Sequence, residues 1–151
     1  VNKKTSYIHI CSNETVHGVE FPQWPNLNLI DREHVPLVVD MSSNILSKKM
    51  DFTNISLAYA SAQKNIGPAG LTLVIIDESL LCNSVQRGLD VCPSVFDYRN
   101  LIKTDSLYNT PPTYSIYMAG LMFDWLIEKG GIEEIEKVNL QKSLTNRREN
   151  E

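Results

Sequence analysis

The stretch SLAYASAQKNIGPAGLTLVIID, residues 56–77, predicts two strands joined by a tight turn. It contains two short runs, residues 56–62 and 71–77, that are rich in Leu, Ile, Val, Ala and Tyr and are typical of strands. A turn rich in Gly and Pro joins them, and such residues predict a tight, rigid return of the chain. Lys64 therefore lies at a fixed place just beyond the end of a strand.

Two further strands are predicted earlier in the chain, at residues 6–11 and 35–41. Residues 35–39 and 71–76 are almost continuously apolar rather than alternating. This pattern predicts burial on both faces, as in the central sheet of an α/β protein, and such a sheet needs helices to cover it.

Two helices are predicted after these strands. Segment 111–131 begins with two prolines and ends with two glycines, and apolar residues recur between them at helical spacing. Because further apolar residues surround this helix, we expect burial on more than one side, including contact with another subunit. The second helix, 132–151, is amphipathic at first and then becomes a polar tail over residues 144–151.

Composition narrows the functional class. The chain has 151 residues, which fits one domain, and its net charge of -4 argues against a nucleic-acid or anionic-membrane surface. No run of about 18 apolar residues occurs. The cysteines are odd in number and lack the spacing of metal ligands: Cys11, Cys82 and Cys92. We therefore expect them to be small buried side chains rather than metal ligands. Such cysteines suit a reducing compartment, and we expect the protein in the cytoplasm.

Two residues at predicted strand ends are candidates for chemistry. Asp40 ends an apolar strand, and ligands bind at the carboxyl ends of strands in open α/β sheets. A turn or helix-capping role for Asp40 remains open. Lys64 becomes a nucleophile if its ammonium group is partly desolvated or lies near a positive charge. The alternative is a surface lysine beside a turn.

Polar residues elsewhere suggest two weaker sites. Asn109 and Thr110 precede a Pro-Pro helix start, where amide, hydroxyl and free N–H groups suit an anion such as phosphate. Helix capping would equally explain Thr110. After the first strand, Asn13, Glu14 and Thr15 form a polar corner at another strand end.

Five stretches together resemble the phosphoserine aminotransferases, in the order in which that family carries them: NETVHGVEF (13–21), DMSSNILSKKMD (40–51), YASAQKNIGPAGLT (59–72), CPSVFDY (92–98) and LYNTPPTYSIYMAGL (107–121). The resemblance extends from about residue 6 to about residue 143. It implies an α/β fold of the PLP-dependent transferase (aspartate aminotransferase-like) type, with a mostly parallel sheet covered by helices. That family uses pyridoxal 5'-phosphate (PLP) and forms homodimers with active sites at the subunit interface.

The resemblance also implies roles for single residues. Lys64 matches the lysine that binds PLP covalently and then moves the substrate proton as general acid and base. Asp40 matches the aspartate that pairs with the pyridine nitrogen. Thr15 and Gln63 match residues that contact the cofactor.

Asn109 and Thr110 match a pair that reaches the PLP phosphate of the other subunit. The implied reaction transfers the amino group of L-glutamate to 3-phosphooxypyruvate, giving O-phospho-L-serine and 2-oxoglutarate in L-serine biosynthesis. The reaction with glutamate and the reaction with 3-phosphooxypyruvate are two halves of one cycle and use the same active site.

The sequence departs from the full family pattern in its extent. Residues 1–151 match a partial PLP-binding large domain, without the preceding portion and the following small domain, and 144–151 is a divergent tail. The arginines fall outside the family's functional motifs, although a phosphorylated substrate calls for guanidinium contacts: Arg32, Arg87, Arg99, Arg147 and Arg148.

Three readings follow from this limited extent. The first is the core of a phosphoserine aminotransferase that is inactive as 151 residues alone. The second is a truncated, non-catalytic product that keeps a dimerisation surface and weak PLP binding. The third, a cysteine desulfurase-like enzyme, is disfavoured by the NTPPT and DMSS stretches.

Overall fold

The computed structural model describes residues 5–21, 35–82 and 91–148. The strands in these ranges are β1 (Ile8–Cys11), β2 (Asn13–Glu14), β3 (Val19–Glu20), β4 (Leu37–Asp40), β5 (Leu57–Ser61) and β6 (Thr72–Ile76). The helices are α1 (Glu78–Cys82), α2 (Tyr98–Lys103), α3 (Thr113–Glu128) and α4 (Ile132–Arg148), and a short 3-10 helix spans Ser94–Phe96.

The main sheet has the strand order β1-β4-β5-β6. Strands β1, β4 and β5 are parallel to one another, whereas β6 returns antiparallel to β5 through the Gly- and Pro-rich turn. The predicted mostly parallel sheet is confirmed. Because β1, β4 and β5 run in the same direction, their carboxyl ends lie at one edge, which we call the carboxyl edge.

The core lies on one face of this sheet. Side chains alternate between the faces of a strand, and in β4 and β5 every second residue is buried. The buried cluster on this face consists of Leu37, Val39, Met41, Ile45, Ala58, Ala60, Ala62, Ile66 and Ala119. Ala119 belongs to α3, so this helix covers the core face at the carboxyl edge.

The expectation of burial on both faces is wrong for β6. Its residues are half-buried or exposed, and the Ile75 side chain is 40% exposed. The physical reason is its position: β6 pairs only with β5 in the described residues, so it lies at the side of the sheet rather than in the middle.

Helix α3 has the predicted bounds, and within this chain it is buried on one side. Gly130 and Gly131 adopt positive φ angles of 95° and 82°, and the Gly131 N–H donates to the Leu126 carbonyl at 2.8 Å, which ends the helix. Only three of its residues are buried, Ser115, Ala119 and Leu126. Most of its large apolar side chains face outward in this chain.

The expectation for the cysteines is also wrong. Cys11 and Cys82 are exposed, and Cys92 is half-buried. Cys11 is on the sheet face opposite the core, which its parity in β1 explains. The irregular segment predicted at 19–34 lies outside the described residues from 22 onward, and its first two residues form β3. Within the described ranges, none of the helices has the length and hydropathy needed to cross a membrane.

Candidate functional site

The carboxyl edge brings together three of the residues predicted from sequence. Asp40 is the last residue of β4, Lys64 follows β5, and Thr15 follows the β1–β2 corner. The Lys64 Nζ donates a hydrogen bond to Thr15 Oγ1 at 2.6 Å, although the two residues are 49 positions apart in sequence. Both side chains are exposed at the edge, so an added ligand can reach the lysine amine.

A tight turn presents Thr15. Strands β2 and β3 form a short antiparallel hairpin, and Glu14 holds its loop by accepting from the Val16 N–H at 3.0 Å and the His17 N–H at 2.5 Å. The His17 Nδ1 lies 3.0 Å from the same carboxylate. The backbone hydrogen bonds from His17 and Val16 lower the pKa of Glu14, so this exposed carboxylate stays ionised.

Asp40 is also held as an anion. Partial burial opposes ionisation, but hydrogen bonds from Ser42 and Tyr59 and the charge of nearby His9 outweigh it and lower the pKa of Asp40. The Ser42 N–H donates to Asp40 Oδ1 at 2.8 Å. The turn role that was left open for Asp40 is therefore real, and it coexists with an ionised carboxylate at a strand end.

The DMSSN segment, residues 40–44, ties the carboxyl ends of three strands together. The Ser42 Oγ accepts from the Ser61 N–H at 3.1 Å, which joins β4 to the end of β5. The Ser43 Oγ donates to the Asn13 carbonyl at 2.6 Å. The Asn44 Oδ1 lies 2.6 Å from the Ser12 Oγ, and both of these side chains are buried. These contacts fix Asp40, Thr15 and Lys64 relative to one another.

The turn that follows Lys64 packs against the start of α3. The Ser115 Oγ donates to the Ala69 carbonyl at 2.8 Å. Gly70 has a φ of +103°, which non-glycine residues rarely adopt, and a Cβ there would lie 3.5 Å from the Ser115 Oγ. On the other side of the turn, the Asn65 side chain donates to the Ile45 carbonyl at 2.7 Å. The turn that follows the lysine is thus held at both of its ends.

The remaining predicted residues are not brought into contact with this group. Gln63 precedes Lys64 and is exposed, and Asn109 and Thr110 are exposed just before α3. In the described ranges, no hydrogen bond joins Asn109 or Thr110 to the other candidates. The N-cap of α3 is Pro112, without a side-chain capping bond, so the capping alternative for Thr110 is wrong.

Two residues at this edge were not recognised as site residues from sequence. The Tyr59 hydroxyl lies 3.0 Å from His9 Nε2, and Tyr59 acts on the charge of Asp40 from the neighbouring strand. The strand register pairs Asp40 with Tyr59, and only this pairing reveals the contact. From sequence we would have needed the relative alignment of two separate strands.

Charged groups elsewhere do not extend the site. In the part of the chain that the structure describes, no group of three or more His, Cys, Asp or Glu side chains has a metal-binding arrangement. The Arg99 guanidinium forms an ion pair with Asp97 at 2.7 Å, beside α2. Arg32 and Arg87 lie outside the described residues.

Comparison with known proteins is consistent with this arrangement. Residues 1–148 match the family model "Aminotransferase class-V". A phosphoserine aminotransferase of Herminiimonas arsenicoxydans is 49% identical over 138 residues, which are 91% of this chain and 36% of that protein.

Solved structures give the same result. A PLP-bound phosphoserine aminotransferase from Trichomonas vaginalis matches with a TM-score of 0.83 and 38% identity, over 94% of this chain and 39% of the other. A structure recording radiation damage of the Schiff base in a phosphoserine aminotransferase matches with a TM-score of 0.83 and 43% identity. The match covers 94% of this chain and 37% of the other.

The predicted α/β fold and the resemblance are therefore confirmed. The chain spans a little over a third of the length of the relatives that it matches. From the family match over residues 1–148, this chain belongs to the class-V aminotransferases.

Proposed function

We propose that this chain supplies the lysine-bearing part of the large domain of a phosphoserine aminotransferase. The complete enzyme would transfer the amino group of L-glutamate to 3-phosphooxypyruvate, in the cytoplasm, as a step of L-serine biosynthesis. The observation that carries the proposal is the hydrogen bond between Lys64 and Thr15 at the carboxyl edge, one strand away from the ionised Asp40. The named relatives support the choice of reaction.

The residues at this edge fit PLP as the cofactor. A pyridine nitrogen that stays protonated needs an anionic partner, and Asp40 is held ionised by its hydrogen bonds. The oxygen substituent of the cofactor ring needs a polar neighbour, which Thr15 supplies. The Gln63 side chain is exposed next to Lys64, where it could also contact the cofactor. When bound, PLP would act as an electron sink for the bond broken at the substrate Cα.

Lys64 has two tasks in this proposal. Its amine would bind the cofactor covalently, and after release it would take the proton from the substrate Cα and return it to the cofactor. The Thr15 hydroxyl fixes the starting position of the amine, at 2.6 Å. The rigid turn on the other side of Lys64 limits how far the backbone can move between these steps.

A second subunit would complete the site. Asn109 and Thr110 are exposed and make no contact with the Lys64 site in the described part of their own chain, as expected of residues that serve the PLP phosphate of a partner. The adjoining helix α3 exposes several large apolar side chains, of a kind that subunit interfaces bury: Tyr114, Tyr117, Leu121, Phe123 and Trp125. A homodimer through this region agrees with both observations.

A non-catalytic product is the second candidate. It is favoured by the ion pair of Arg99, whose guanidinium binds Asp97 at 2.7 Å. A phosphorylated substrate calls for bidentate guanidinium contacts. On this reading the 151 residues keep the dimerisation surface and weak PLP binding but do not turn over.

The test is a transamination assay on the complete protein that contains this chain. With glutamate and 3-phosphooxypyruvate we expect release of 2-oxoglutarate, and the Lys64→Arg variant should lose at least about a thousandfold in kcat because arginine keeps the charge but cannot act as the nucleophile. Lys103→Arg, at the end of α2, is the matched control and should keep full activity. Absence of turnover in the complete protein, with PLP still bound, would contradict the proposed reaction.

A further inference from the structure

The sheet face opposite the core carries a short row of polar and aromatic side chains. The strand register places Cys11 beside Asp40 and Asp40 beside Tyr59, so these three residues share this face. His9 lies two residues before Cys11 in β1 and points to the same side. None of these residues belongs to the buried cluster on the other face.

The His9 and Tyr59 side chains meet above the strand that carries Asp40. Strands β1 and β5 flank β4, so their backbones are about 9–10 Å apart. Even so, the two rings stack with centroids 6.0 Å apart, and His9 Nε2 lies 3.0 Å from the Tyr59 hydroxyl. Both side chains therefore lean over β4, and Tyr59 lies beside Asp40, its register partner, on whose carboxylate it acts.

The direction of the hydrogen bonds follows from the protons available. An ionised carboxylate can only accept, so a Tyr59 hydroxyl that stabilises Asp40 directs its single proton toward it. The Tyr59 oxygen must then accept from His9, which requires a proton on His9 Nε2. Burial and the Asp40 charge raise the pKa of Tyr59, so its hydroxyl keeps this proton at neutral pH.

We propose that Tyr59 and His9 are positioning residues for Asp40: His9 holds the Tyr59 ring over β4 with its hydroxyl toward Asp40, so that the carboxylate stays aimed at the cofactor ring nitrogen. This inference rests on the proposed function, because it takes PLP as the ligand of Asp40. Tyr59 and His9 act through Asp40.

Other titratable groups lie near His9, Tyr59 and Asp40. Their electrostatic effects must be separated from those of these three residues. Cys11 on β1 and Tyr98 on α2 both act electrostatically on Tyr59. The main groups that act on Asp40 are Ser42, Tyr59 and His9, whereas Tyr98 acts on Tyr59. Tyr98→Phe is therefore a matched control for Tyr59→Phe, because each removes one hydroxyl from a neighbouring ring.

The first measurement needs no cofactor. Carboxyl ¹³C NMR of the folded protein, labelled at aspartate and assigned with Asp40→Asn, follows the Asp40 titration. We expect its midpoint to rise in Tyr59→Phe and to stay unchanged in Tyr98→Phe. His9→Phe should raise the midpoint in the same direction, and His9→Gln, which keeps a donor near the Nε2 position, should restore it. An unchanged midpoint in Tyr59→Phe, or an equal rise in Tyr98→Phe, would overturn the proposal.

The second measurement uses PLP itself. Equilibrium binding followed by cofactor absorbance should weaken about three- to tenfold in Tyr59→Phe and remain at the wild-type value in Tyr98→Phe. If the titration shifts as expected but PLP binding does not change, the positioning role is wrong although the chain of hydrogen bonds exists. If the wild-type protein does not bind PLP at all, the proposed function fails instead, so the two failures are distinguishable.

Discussion

Replacing Ser12 by alanine is expected to lower the free energy of unfolding by about 2 kcal/mol. The Ser12 side chain is 2% exposed, and its Oγ lies 2.6 Å from Asn44 Oδ1. Asn44 is itself 3% exposed, so the substitution leaves a buried acceptor without its partner, which costs about 1–3 kcal/mol. The Ser12 Oγ also lies 3.0 Å from the Asp40 carbonyl, but that carbonyl keeps the Ser12 N–H as a donor at 2.9 Å, so only Asn44 Oδ1 is left without a partner.

Urea denaturation measures this difference. With a slope of about 2 kcal/mol per molar urea, the midpoint should fall by about 1 M at an unchanged slope. Ser94→Ala, at an exposed position, is the control and should change the stability by less than about 0.5 kcal/mol. In an Asn44→Ala background, Ser12→Ala should cost clearly less, because its partner is already absent. A loss below about 0.5 kcal/mol, or additive losses in the double variant, would refute the reasoning.

Three further predictions address the site and its turn. Thr15→Val removes the hydroxyl that holds the Lys64 amine and should slow labelling of that lysine by PLP about three- to tenfold, whereas Thr15→Ser should retain the rate. The pKa of Asp40 in the folded state lies below its ordinary value of 3.8, so the ionised carboxylate stabilises the fold fully above pH 3.8, and this stabilisation is lost as the pH falls through the folded-state pKa. The loss of stability caused by Asp40→Asn should therefore become smaller on acidification. A loss that stays constant between about pH 7 and 3 would contradict this. Gly70→Ala should destabilise by about 1–3 kcal/mol in thermal unfolding, since φ is +103°, while Gly120→Ala, in open space on α3, should not destabilise.

Local signals predicted the elements that carry the site. The apolar runs before Asp40 and Lys64 predicted the ends of β4 and β5, and the prolines and glycines around 111–131 predicted the bounds of α3. These signals depend on a few neighbouring residues, so one sequence contains them. The family resemblance then added roles that local chemistry alone left open.

The unpredicted features depend on how separate segments meet. The contact of Tyr59 with Asp40 and His9 follows from the register of three strands, which no local pattern specifies. The turn held by Glu14 depends on the pairing of two very short strands. The burial of β6 and α3 within this chain was overestimated. A segment rich in apolar residues is expected to be buried, but its sequence does not say whether this chain or another subunit buries it.

If Lys64 is the lysine that binds the cofactor, PLP should label it covalently in preference to the other lysines. The folded protein is incubated with PLP, reduced with borohydride and analysed by peptide mapping. The pyridoxyl group is expected on Lys64, with no labelling of that peptide in Lys64→Arg and unchanged labelling in Lys103→Arg. Pyridoxyl groups spread evenly over the exposed lysines would contradict the account.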